Sequence, residues 1–194
     1  MSEQKINDFN YLLEESEKYD KKIQLAAHEH IIKNNLIKSQ IKFAQYQTDS
    51  GKKLQRSGID SKANYNTLNY IEAKRRRPDS YIYYNKDILL ETISIIHSGK
   101  LGWLYTSKAD FIAYTWSNSK NETCDIGYLI HLPELKKTRL YRNIQSYPKR
   151  EASSGDWKTL SRIIPIHRFP EKTLYQFNPN LITKMDMTLD SWGN

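Results

Sequence analysis

The chain has 194 residues, 38% of them apolar, and a net charge of +8, which suits one globular domain with a core and leaves little room for two. Its fourteen tyrosines argue against wholesale disorder, and a single cysteine, Cys124, excludes an intrachain disulfide. The first ten residues, MSEQKINDFN, lack the apolar stretch of a signal peptide, and no apolar run approaches the roughly 20 residues that span a membrane. The expectation is an intracellular, cytoplasmic protein without a membrane partner.

Reading along the chain, Asn7 to about Lys38 repeats apolar residues at three- and four-residue steps: Phe9, Leu12, Leu13, Tyr19, Ile23, Ala26, Ala27, Ile31 and Ile32. Neither Gly nor Pro interrupts, so a long helical segment is predicted, whole or broken near residues 16–20. Ile41 to Gln47 alternates as a strand does, and Asp49-Ser50-Gly51 reads as a turn. Thr67 to Lys74 is a second strand, ended by Pro78. Asp87 to Ile96, DILLETISII, is nearly continuous in apolar residues and reads as a buried strand. Trp103 to Tyr105 and Asp110 to Trp116 read as short extended segments, and Asp125 to Leu132 as another. A helix is predicted from Pro133 to about Arg142, with proline in its first turn. Gln145 to Gly155 reads as loop, and Trp157 to His167 and Lys172 to Asn178 as strand or helix. This order predicts an α/β or α+β domain, a mixed sheet flanked by helices. The expected divisions within the single domain 1–194 are an N-terminal helical segment (1–40), a core (41–142) and a C-terminal extension (143–194).

Charge is uneven. Residues 51–80 carry eight basic and three acidic side chains, and residues 134–172 carry ten and four. Two basic segments on one small domain suit a polyanion; lysine-rich surface decoration is the plainer alternative. Arg75, Arg76 and Arg77 form one run, and Lys136, Lys137, Arg139 and Arg142 recur on the predicted second helix as a candidate basic stripe. Tyr81, Tyr83, Tyr84 and Trp157 are candidates for stacking on unpaired bases, against ordinary packing.

The chemistry concentrates at Asp60, Glu72 and Lys74. Residues two apart on a strand share a face, roughly 7 Å apart, so Glu72 and Lys74 project together. Asp60 lies twelve residues upstream, far enough for a hairpin to return it to the neighbouring strand. Two carboxylates can then share a hard cation such as Mg²⁺, with the lysine beside the reacting phosphate. A Glu-x-Lys pair on a solvated strand is the bland reading. Gln55 and Glu91 are candidate additional members of this site, Gln55 otherwise a turn residue and Glu91 otherwise a carboxylate at a strand edge. Asp110 reads as a structural turn residue. His28 and His30, two apart on a helix, do not share a face, so no zinc site is predicted.

The run "LQRSGID … YIEAKRR … DILLETIS … DFIAYTW … GYLIHLPELKK" resembles a group of phage and mobile-element proteins that look like members of the PD-(D/E)XK nuclease superfamily. The resemblance covers about Leu54 to Lys137. It implies a restriction-endonuclease-like fold and a Mg²⁺- or Mn²⁺-dependent endodeoxyribonuclease working in a bacterial host. Carried over by position, Asp60 and Glu72 would be metal ligands and Lys74 the catalytic lysine. Acidic residues on the first helix, Glu14, Glu15 or Glu17, would be further members. The motif's proline is replaced by Ile59. Implied partners are DNA, through backbone contacts of Arg75, Arg76, Arg77, Lys136, Lys137 and Arg139, or a host protein, with a homodimer as a candidate assembly. Since fold and activity separate readily, a catalytically inactive module on the same fold, for example a phage counter-defence factor, is the alternative.

Overall fold

The structure, a computed structural model, describes residues 19–31, 40–43, 52–53, 56–57, 59, 61–65, 67–118, 120, 122–154 and 157–180. It is a mixed α+β fold built on two sheets. Residues 19–31 are helical (α1); the rest of the helix predicted over Asn7–Lys38 lies outside the described residues. Strands β1 (Gln40–Phe43), β2 (Ser61–Tyr65) and β3 (Thr67–Arg76) follow. Next come α2 (Pro78–Tyr84), β4 (Asp87–Ile95), β5 (Lys100–Leu101) and α3 (Trp103–Thr106). The chain continues through β6 (Phe111–Ser117), β7 (Thr123–His131), α4 (Leu132–Lys137) and α5 (Arg139–Arg142). It closes with β8 (Lys149–Ser154), β9 (Trp157–Pro165) and β10 (Leu174–Phe177).

The larger sheet has six strands in the order β1-β2-β3-β6-β7-β10. β1, β2 and β3 form an antiparallel meander. β6 then lies parallel to β3, with Ile71 opposite Phe111 and Arg76 opposite Trp116. A parallel neighbour demands a long crossover, and residues 77–110 supply it, carrying α2, the β4–β5 hairpin and α3. The second sheet is antiparallel, in the order β5-β4-β9-β8.

Both faces of β6 are covered, and all seven of its residues are buried. Phe111 and Ala113 join Ile71, Leu129 and Phe177 against Ile23, Ala26, Ala27 and Ile31 of α1. Ile112, Tyr114 and Trp116 face the other way, into a cluster with Ile88 and Leu90 of β4, Ile164 of β9 and Trp103 and Leu104 of α3. Strict alternation in β6 thus packs α1 on one face and the second sheet on the other.

Three segments depart from the pattern read in the sequence. Trp103–Thr106 is a helical turn where a strand was predicted. Gly102 sets it: a Cβ there would stand 2.3 Å from the Glu91 carbonyl oxygen, so only glycine lets the chain pass β4 this closely. Lys149–Ser154, predicted as loop, is a strand. It is an edge strand paired only to β9, so it has no need of the apolar alternation that would have marked it. The helix predicted over Pro133–Arg142 is two, broken at Thr138, whose hydroxyl accepts from the Tyr141 amide and caps α5.

Candidate functional site

β3 places its odd and even residues on opposite faces. Ile71 and Ala73 pack toward α1, so Glu72, Lys74 and Arg76 project to the face that meets the second sheet. Among the described residues β2 pairs with β3 as far as Ser61–Ile71; Asp60, next in that register, lies outside them. From Glu72 to Arg76 the strand has β6 on one side and no other described strand on the other.

Glu72 is 5% exposed. The Lys74 ammonium forms an ion pair with its Oε1, while its Oε2 is buried without a hydrogen-bond partner. A buried carboxylate oxygen left unsatisfied costs on the order of 1–3 kcal/mol, and such an atom calls for a physical explanation, a bound ion or water among them. Next to the pair a cavity of about 270 Å³ is lined by Asp20 of α1 and by Ala73, Lys74, Arg75 and Arg76. Asp20 went unnoticed in the sequence, where it is one of several acids on a charged helix; only the packing of α1 across β3 singles it out.

The three arginines part company. The Arg75 guanidinium lies 4.6 Å from the Tyr19 ring centroid, on the α1 face, and its Nη1 is buried without a partner. Arg76 turns to the other face, donating from Nε to Tyr114 Oη at 3.2 Å and from Nη2 to the Leu89 carbonyl at 3.1 Å. Arg77 precedes α2 and is exposed. Successive residues of a strand cannot share a face, so the run does not form one flat basic patch.

The basic stripe of α4 and α5 is also divided. Lys136 turns inward and donates to the Ser107 carbonyl at 3.3 Å, with burial lowering its pKa. Lys137 pairs with Glu134 at 2.7 Å, and Arg139 is exposed. Glu91 lies on the side of β4 opposite the core-facing Leu90 and accepts from Ser94 Oγ at 2.8 Å; it is not turned toward Glu72. Asp110 accepts from the Tyr70 amide at 2.8 Å and pins the start of β6 to β3; burial raises its pKa. His131 stacks on Phe111 with ring centroids 4.6 Å apart, its pKa lowered chiefly by burial. Asp60, Glu14, Glu15, Glu17 and Gln55 lie outside the described residues. Among the described residues no three His, Cys, Asp or Glu side chains converge as metal ligands, and no helix is long and apolar enough to cross a membrane.

No family model matches the chain, nor does any curated protein or solved structure.

Proposed function

We propose that this is a metal-dependent, nuclease-like protein of PD-(D/E)XK type that hydrolyses DNA phosphodiester bonds and is encoded by a phage or mobile element. One observation carries the reading: the buried Glu72 carboxylate, held at one oxygen by Lys74 and unpartnered at the other, on the strand that pairs in parallel with β6. The order of helix, three-strand meander, crossover and parallel strand supports it. Glu72 Oε2 fits a hard cation, which takes oxygen ligands; Asp60 and Glu72 are the residues assigned to hold Mg²⁺ or Mn²⁺. When bound, the ion supplies charge neutralisation at the phosphate and a more acidic water. Lys74 orients the attacking water or donates to the phosphoryl oxygen on which charge develops. Arg77, exposed just past the end of β3, contacts a flanking phosphate.

A second reading is favoured by a specific feature. Lys74 already neutralises Glu72, and Arg76 is fixed by Tyr114 and the Leu89 carbonyl. A self-contained cluster of this kind suits a nuclease-fold module that has kept its charges and lost its chemistry, and that binds DNA or a host protein.

The two readings separate on incubation with single-stranded, duplex and branched DNA in Mg²⁺ and in Mn²⁺. The enzyme reading expects cleavage that Glu72→Gln and Lys74→Ala each reduce by about a hundredfold or more. Binding of DNA or a host protein with no substrate cut by the wild type would hand the case to the inactive module.

A further inference from the structure

α2 begins two residues after β3 ends, four after Lys74, and it turns apolar side chains outward. Ile82 is 71% and Tyr83 73% exposed, an unusual state for a neighbouring isoleucine and tyrosine on a short helix. Of the three tyrosines in α2, Tyr81 packs into the core, with its ring edge-on to Trp116 at 5.9 Å, and Tyr84 is half-buried. Tyr83 and Tyr84 lie edge to face, centroids 6.5 Å apart. Tyr84 carries the Arg150 guanidinium 4.5 Å from its ring centroid, which ties α2 to the β8 edge of the second sheet.

Arg77 and Lys86 flank α2 and are exposed, and Arg150 caps the Tyr84 ring. Glu151, the acid of β8, is paired with Lys149 at 3.7 Å, and Asp87, at the start of β4, is half-buried. Arginine and tyrosine also mark surfaces that dock protein, but lysine is depleted there. Here Arg77 and Lys86 bracket α2 along the chain and Arg150 lies over Tyr84. That combination, π-faces for bases and cations for phosphates, is what an unpaired nucleic-acid strand requires. A duplex keeps its base faces stacked inside and offers the rings nothing to cover.

We propose that the α2–β8 ridge, with Tyr83 and Tyr84 as stacking rings and Arg77, Lys86 and Arg150 as phosphate contacts, binds single-stranded nucleic acid. It would lead that strand toward Lys74 and Glu72 on β3. The proposal rests on the reading of Glu72 and Lys74 as a nucleic-acid site and adds the class of substrate, a strand at least locally unpaired.

The test measures fluorescence anisotropy of the full chain, in EDTA, with a labelled twenty-nucleotide oligothymidylate and with a duplex of equal length. Metal-dependent cleavage of both is followed in parallel. The expected result is tighter binding of the single strand, weakened about fivefold to a hundredfold by Tyr83→Ala, restored by Tyr83→Phe, and little changed for the duplex. Tyr83 is mostly exposed, so circular dichroism of the variant should match the wild type. Equal or tighter duplex binding, or a Tyr83→Ala variant indistinguishable from wild type on the single strand, would overturn the ridge. If the duplex is then still cut in a Glu72-dependent manner, the nuclease reading survives without it. No binding of either DNA would remove both.

Discussion

At the scale of single residues, the Glu72–Lys74 pair sets what substitution should do. Four basic side chains, Lys74 to Arg77, follow one buried carboxylate. Removing the carboxylate leaves the lysine beside Arg76 without its counter-charge, and unpairing a buried charge is destabilising. Because Lys74 keeps part of its surface in water, the loss is moderated. Glu72→Ala should lower unfolding free energy by about 1–3 kcal/mol in a urea titration. Stability equal to or above that of the wild type would mean that the pair is strained by neighbouring acids. His28 gives a second test. It is fully buried on α1, and burial lowers its pKa to about 3 from 6.5. A histidine whose folded pKa is depressed takes up its proton on unfolding, so the native state is favoured above pH 6.5 and loses ground as pH falls from there toward 3. Over that window stability should fall by about 1.4 kcal/mol per pH unit for this one proton. His28→Gln, compared by denaturant midpoints at pH 7 and pH 5, should show a flatter dependence. Equal slopes would place the titration elsewhere.

At the scale of elements, the fold turns on how closely segments approach. The Gly102 amide donates to the Thr92 carbonyl at 2.9 Å, and the Glu91 carbonyl carbon would lie 2.6 Å from an added Cβ. Backbone cannot swing aside as a flexible side chain does, so Gly102→Ala should destabilise by about 1–3 kcal/mol or more, read as a drop in thermal midpoint with loss of the β4–α3 packing. Thr138→Ala, which removes the cap of α5, should cost about 1 kcal/mol. The same closeness explains what the sequence could and could not tell. β6 was legible because a strand buried on both faces must be apolar almost throughout, as FIAYTWS is. β8 was not, because an edge strand with the sequence KREASS owes its existence to the hydrogen bonds of β9. α3, at four residues, is shorter than any period that could announce it. In the site, the shared face of Glu72 and Lys74 followed from strand spacing alone. The turn of Arg76 into the interior and the arrival of Asp20 depend on tertiary packing, which leaves no local signature.

At the scale of the whole molecule, a net charge of +8 gives a long-range pull on any polyanion, yet the cations are not equivalent. Lys136, Lys137, Arg76 and Lys74 are engaged with protein partners. Arg77, Lys86 and Arg139 are exposed. Each phosphate contact releases condensed counterions, so affinity for DNA should fall steeply with salt. The slope should count the second group of cations and pass over the first. Arg77→Ala should reduce the slope of log affinity against log salt by about one, with a small change in thermal midpoint, and Arg75→Ala, whose guanidinium lies on the α1 face with Nη1 buried, should leave the slope unchanged. Arg76→Ala should do the reverse of Arg77→Ala: it deprives the Leu89 carbonyl of its donor and Tyr114 of a partner in the core, so the midpoint falls while the slope holds. Titrations of one labelled oligonucleotide from about 50 to 200 mM salt, paired with thermal melts of each variant, measure both quantities on the same proteins. A common loss of slope across all three arginines would mean that the run moves as one patch on binding, with Arg76 leaving Tyr114 to join it. A slope near zero for the wild type would shift the partner of this basic surface from nucleic acid to protein.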